Sequence, residues 1–256
     1  MPKVDTVGDN FYKPLELAET IGGWLFWIVS VLSIGTLFVN KSAYPELSNN
    51  LQIAFLVLAL LYFVQGQAQK LYFFPRAEDN RRQELLSNSY QVSLTGEETV
   101  GYYNNDQTNP LKRLAASIME STFFTREIAR KMLIGQRATT LGYVVIYLIA
   151  ISVRSTNLEL LTVAAQVLFS EDIISRWLRM EWLRLRSEQV YQNLHRLFSG
   201  KQSFSRVEAQ SQAIDLFSFY ETTKATAAIL LSSRIFHKHN ARLTQEWNQT
   251  RTRLGI

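Results

Sequence analysis

Residues 21–40 read IGGWLFWIVSVLSIGTLFVN, and residues 51–69 read LQIAFLVLALLYFVQGQAQ. Neither stretch contains a charged residue. A helix needs about 20 apolar residues to cross hydrocarbon roughly 30 Å thick, so each stretch is long enough for one crossing. The link between them, KSAYPEL, is short and contains Pro45. Together they predict a transmembrane helical hairpin over residues 21–69.

Two shorter apolar runs lie later in the chain, at residues 138–153 and 158–170. We interpret residues 138–170 as a second transmembrane hairpin that turns at residues 154–157. Because both runs are short for a full crossing, a re-entrant hairpin that returns to the same side is the alternative.

The remaining sequence is polar and falls into three parts: an N-terminal tail at 1–20, a central segment at 70–137 and a tail at 171–256. Helical spacing of apolar residues predicts a helix from Pro110 to about Leu133. The tail should form two helices, over 171–198 and then to about residue 239, and a short strand is expected at 90–94. The predicted fold class is an all-α membrane protein with four spans, in two helical hairpins, and a mainly helical cytoplasmic domain.

The distribution of basic residues predicts how the chain is oriented in the membrane. Of the 27 Lys and Arg residues, only Lys41 and Arg154 lie in the two short links. Basic residues near the ends of spans stay on the cytoplasmic side of a membrane. Both termini and the central segment should therefore be cytoplasmic, and the net charge of +5 reflects membrane orientation, with no DNA partner expected.

Catalytic and metal-binding patterns are not recognisable in the sequence. The chain has no cysteine, which excludes a thiolate metal site and a cysteine nucleophile. It also lacks the phosphate loop GxxxxGK[ST], the zinc motif HExxH and the nucleophile motif GxSxG. We therefore expect no catalytic residue, no metal site and no cofactor, and we predict that the chain is not an enzyme.

The central segment contains the candidate ligand-binding residues. Arg81 and Arg82 have planar side chains that can bind phosphate oxygens in pairs. Tyr102 and Tyr103 can stack on a nucleobase, and Asn104 can hydrogen-bond to its edge.

A purely structural role for these residues is the alternative. In that case the two arginines pair with Glu78 and Glu84 or with lipid phosphates, while the tyrosines pack beneath the loop that contains them.

The central segment also resembles a known family, the SMODS-associating four-transmembrane effectors. In that family a pair of spans precedes a cytoplasmic segment with four short motifs in a fixed order. The matching residues here are Arg81-Arg82, Asn88-Ser89-Tyr90, Tyr102-Tyr103-Asn104 and Glu120 to Thr125.

The resemblance implies an effector of bacterial antiphage defence in the inner membrane. It would respond to a cyclic nucleotide or oligonucleotide, form a homo-oligomer and permeabilise the lipid bilayer. Two other hypotheses stay open. One is a membrane-anchored adaptor that binds a protein partner without pore activity, and the other is a lipid-modifying enzyme that uses Glu171 and Asp172.

Overall fold

The chain is mainly helical in a computed structural model that describes residues 4–96, 99–100, 102–103, 105–152, 161–162, 165, 167, 171–200 and 203–256. The two strands are β1 (Val4–Asp5) and β2 (Thr99–Val100), which pair antiparallel. The helices are α1 (Lys13–Phe38), α2 (Pro45–Ala68), α3 (Phe74–Tyr90), α4 (Pro110–Ser152), α5 (Arg176–Ser199), α6 (Val207–Ala227) and α7 (Ser233–Leu254). Three π-helical turns span Gly8–Tyr12, Gln69–Phe73 and Glu171–Ser175.

Among the described residues, three stretches of helix are long and apolar enough to cross a membrane, by length and composition: Gly8–Thr36, Pro45–Tyr90 and Pro110–Ile149. They contain the second predicted span and most of the first and the third. The fourth predicted span, residues 158–170, lies mostly outside the described residues. The structure thus agrees with the prediction of a helical membrane protein, and three of its helices are suited to spanning a membrane.

The apolar helix α2 has little of its surface covered by the rest of the protein. Only 6% of its most apolar window is buried, and Leu56 and Leu60 remain 64% and 63% exposed. A helix this apolar would bury its surface in a water-soluble protein. Lipid is the environment that suits such a surface, so the exposure pattern and the composition agree.

The described residues form two compact units. Unit 1 takes its residues from Met1–Tyr12, Pro75–Ile134 and Arg179–Ile256, and unit 2 takes its residues from Lys13–Phe74 and Gly135–Leu178. The core of unit 1 is aromatic and aliphatic: the ring of Phe123 lies 5.9 Å from that of Trp247 and 6.0 Å from that of Tyr191.

Inside unit 2, polar side chains join α1 to α2. The Gln65 Nε2 atom donates a hydrogen bond of 2.6 Å to the carbonyl oxygen of Ala18. Gly22 allows this close approach, because a Cβ atom at that position would lie 2.6 Å from the Gln65 Oε1 atom. An amide hydrogen bond between apolar helices adds specificity to a helical hairpin.

Further polar contacts link the other segments of unit 2. Arg176 forms an ion pair with Glu19, and Gln136 donates a hydrogen bond of 3.3 Å to the carbonyl of Ile173.

Several local predictions need correction. The predicted strand at 90–94 does not form: α3 continues to Tyr90, and the strand that pairs with β1 is Thr99–Val100. The predicted helix that ends near Leu133 continues without interruption to Ser152, because no proline or turn sequence separates it from the third apolar run.

The tail also contains one more helix break than the sequence predicted. Ala228 adopts a left-handed backbone with φ of 46°, which ends α6, and the Ser232 side chain accepts a hydrogen bond from the Ile235 backbone to begin α7. The expected single helix to about residue 239 is therefore two helices.

Candidate functional site

Arg81 is the centre of a partly buried polar cluster in unit 1. Helix α3 carries it, and its side chain is only 13% exposed. Its two terminal nitrogens donate hydrogen bonds of 2.9 Å and 3.0 Å to the two carboxylate oxygens of Asp5 in strand β1. This paired geometry is the one that guanidinium groups also use to bind phosphate.

Aromatic rings surround the same guanidinium group. Its carbon lies 4.2 Å from the ring centre of Tyr102 and 5.2 Å from that of Tyr12. The rings of Tyr102 and Tyr103 meet edge to face at 4.9 Å. A cation held against aromatic faces is stabilised by their electron density, and the stabilisation grows when water is excluded. We call these three tyrosines, together with Asp5 and Arg81, the Arg81 cluster.

The two tyrosines of the loop remain protonated at neutral pH. Burial raises the pKa of Tyr102, although the nearby Arg81 opposes this effect. Burial also raises the pKa of Tyr103 well above its ordinary value. Both hydroxyl groups therefore remain hydrogen-bond donors at neutral pH.

A second group of charges lies next to the first, and Tyr12 connects them. The Tyr12 hydroxyl donates a hydrogen bond of 2.8 Å to one oxygen of Glu78. The other Glu78 oxygen lies 2.8 Å from the Lys224 ammonium group, which also lies 3.0 Å from a carboxylate oxygen of Glu221. We call Glu78, Glu221 and Lys224 the Lys224 triad.

Lys224 is a fixed positive charge in this triad. Burial alone would lower its pKa, but the carboxylates of Glu78 and Glu221 together hold the pKa of Lys224 well above its ordinary value. Burial raises the pKa of Glu221 even though the ammonium group is close. One ammonium group therefore balances the charge of two carboxylates. Removing Lys224 would leave both carboxylates buried without their cation, which costs free energy of folding.

The predicted ligand-binding residues have different positions in the structure. Arg81, Tyr102 and Tyr103 come together in one cluster. Arg82 does not join them: it points to the surface, is 44% exposed and pairs with Asp79 at 2.9 Å. Asn104 lies outside the described residues.

The structural alternative named other partners for the arginines. Arg81 pairs with Asp5, Glu78 pairs with Lys224, and Glu84 accepts hydrogen bonds from Thr99. Neither predicted glutamate partner is the one that an arginine contacts here.

Sequence reasoning missed Asp5, Tyr12, Glu221 and Lys224. Glu221 and Lys224 are three residues apart on α6, a spacing that predicts a helical ion pair but not its contact with α3. Nothing local in the sequence brings residues 5 and 12 to α3, since the partners of Arg81 and Glu78 there are 76 and 66 residues away.

Across the described residues, no group of three or more His, Cys, Asp or Glu side chains is arranged to hold a metal ion. No protein-family model, curated protein or solved structure matches the chain.

Proposed function

We propose that the protein is a membrane effector that a nucleotide second messenger switches on through the Arg81 cluster. In this proposal the chain crosses the bacterial inner membrane four times as two hairpins, and both termini and unit 1 are cytoplasmic. Ligand binding favours a homo-oligomer that permeabilises the membrane and thereby stops growth of a phage-infected cell. The resemblance of the central segment to the SMODS-associating four-transmembrane effectors supports this proposal.

The observation that carries the ligand-binding part is the setting of Arg81. A guanidinium group that already forms two parallel hydrogen bonds to a carboxylate is oriented for a phosphate. The tyrosine rings beside it are the groups on which nucleobases stack.

The membrane part rests on the exposed apolar helices and on the charge distribution. Leu56, Leu60 and Trp24 are each more than half exposed on helices that lack charges over their apolar stretch. Basic residues are concentrated in the parts assigned to the cytoplasm. Four spans cannot enclose a wide pore, so permeabilisation requires several copies.

Ligand binding can move the spans only if it favours one conformation over another. The ligand must therefore bind more tightly to the pore-forming arrangement than to the resting one. We infer that unit 1 provides this difference, because it contains the Arg81 cluster.

Replacing Arg81 with alanine should remove the ligand response, whereas replacing Arg82 should not. A guanidinium group that makes hydrogen bonds to an anion contributes about 1.5–3 kcal/mol, so Arg81→Ala should weaken binding by at least about tenfold. Arg82→Ala is the matched control, because it removes the same charge from the neighbouring residue on the surface. The measurement is release of a dye from liposomes that contain the purified chain, with a panel of cyclic dinucleotides and trinucleotides.

Dye release that is equal for both arginine variants and the unmodified chain would rule out the Arg81 site. Binding without any dye release, measured by a thermal shift of the same samples, would instead favour the membrane-anchored adaptor.

A further inference from the structure

Asp5 fills the position at Arg81 that a ligand phosphate would take. We infer that Asp5 is a tethered internal anion that holds the site closed, and that an activating ligand must displace it. This inference rests on the proposed function, because it assumes that Arg81 is the ligand-binding residue. It adds a resting state to the site and identifies the group that maintains it.

The first observation is the equivalence of the two anions. The Asp5 carboxylate contacts both terminal nitrogens of Arg81, at 2.9 Å and 3.0 Å. A phosphate presents two oxygens at a similar spacing to the same pair of nitrogens. Both anions cannot occupy these nitrogens together, so they compete for one position.

The second observation is how Asp5 is held. Its carboxylate also accepts a hydrogen bond of 2.9 Å from the Gly8 backbone nitrogen. A Cβ atom at position 8 would lie 2.7 Å from the other carboxylate oxygen, so glycine leaves room for the carboxylate at this position. The turn from Asp5 to Gly8 therefore presents the carboxylate towards Arg81.

The third observation is the small size of the structure that anchors Asp5. Strand β1 has two residues, and its only pairing in the described chain joins Val4 to Val100 and Asp5 to Thr99. The Asp5 side chain is 29% exposed. A two-residue pairing is too short to be stable alone, so Val4 and Asp5 can separate at low cost once an anion replaces the carboxylate, whereas Val7 is fully buried and Tyr12 remains bonded to Glu78.

Displacement would act on the first span. After the Asp5 turn, the chain enters the π-helical turn Gly8–Tyr12 and continues directly into α1. Release of Asp5 therefore removes one of the contacts that hold the segment leading into α1, beside the buried Val7 and the hydrogen bond of Tyr12. An internal competitor also lowers the apparent affinity of the ligand, because only the open fraction of the protein can bind.

Replacing Asp5 with asparagine tests this inference. Asparagine keeps the size of the side chain and an oxygen for the Gly8 backbone, but it removes the charge that competes with phosphate. Inorganic pyrophosphate serves as the probe, and calorimetry of the full chain in detergent measures its affinity. We expect Asp5→Asn to bind it about tenfold more tightly than the unmodified chain.

The control is Asp79→Asn, which removes the carboxylate that pairs with the exposed Arg82. This variant should leave the affinity for pyrophosphate unchanged. If Asp5→Asn binds pyrophosphate no more tightly than the unmodified chain while Arg81→Ala abolishes binding, the inference about Asp5 is wrong. The proposed ligand site at Arg81 is then still supported. If Arg81→Ala also retains full affinity, the proposed ligand site itself is wrong.

A second measurement does not depend on a variant that must fold. Hydrogen exchange of the unmodified chain should become faster in residues 4–8 when pyrophosphate is added, because Asp5 leaves Arg81 and its contacts with Thr99 and Gly8 are lost. Slower or unchanged exchange in that segment under saturating pyrophosphate would overturn the inference.

Discussion

Replacing Lys224 with methionine should destabilise unit 1 by about 3–5 kcal/mol, because it leaves two carboxylates close together without a cation. The Lys224 side chain is 16% exposed, and those of Glu78 and Glu221 are 17% and 12% exposed. Water can therefore screen little of the repulsion that follows. Urea unfolding of the detergent-solubilised chain, followed by tryptophan fluorescence, measures the loss.

Arg242→Met is the matched control for this prediction. Arg242 forms an ion pair of 2.7 Å with Glu246, but the two side chains are 49% and 43% exposed. An exposed pair of this kind contributes less than about 1 kcal/mol. Adding Glu78→Gln and Glu221→Gln to Lys224→Met should recover much of the lost stability, and no recovery would contradict the electrostatic explanation.

The contribution of Lys224 should also have a defined pH dependence. Its pKa in the folded protein lies above the ordinary value of 10.5, so the stabilisation is fully present at neutral pH. It is lost only as the pH rises through the folded pKa. The comparison of variants at neutral pH is therefore not complicated by titration of this group.

Replacing Leu60 with arginine should prevent stable insertion of α2 into the membrane. Leu60 is near the middle of the apolar stretch and is 63% exposed. An arginine near the centre of a membrane-spanning helix costs about 2.5–3.5 kcal/mol. The fraction of the expressed chain that remains in the membrane after a carbonate wash should fall sharply.

Ile214→Arg provides the comparison in unit 1. Ile214 lies on α6 and is 51% exposed, so it resembles Leu60 in size and exposure within the structure. A surface substitution in water is usually within about 0.5 kcal/mol of neutral, and this variant should remain in the membrane fraction. Equal behaviour of the two variants would mean that α2 does not face lipid.

Sequence patterns predicted the first two apolar helices well, because the features that identify such helices lie within the helix sequence itself. An uncharged stretch of the right length needs no distant partner to be recognised. The stripe of Leu114, Ala115, Ile118 and Met119 on α4 is likewise buried, as helical spacing predicts. The helix break at Ala228 was missed because alanine is a strong helix former, and only its surroundings require a left-handed backbone there.

The candidate site could be predicted only in part for the same reason. Arg81, Tyr102 and Tyr103 were identified by residue type, and the structure brings them together. Asp5 and Lys224 were not, because their roles depend on contacts between segments that are far apart in sequence. A charge pattern also could not separate Arg81 from Arg82, since adjacent helical residues point in different directions and only the fold decides which one is buried.

Unit 1 is formed by three segments that alternate along the chain with those of unit 2, and this order has a consequence for biosynthesis. The N-terminus of a chain emerges from the ribosome first, and a domain generally folds once all of its residues have emerged. The contact of Asp5 with Arg81 needs only the early part of the chain, whereas the contact of Glu78 with Lys224 must wait until α6 has been translated. The apolar helices α1 and α2 therefore leave the ribosome before unit 1 can be complete, so they are available to a membrane before unit 1 folds.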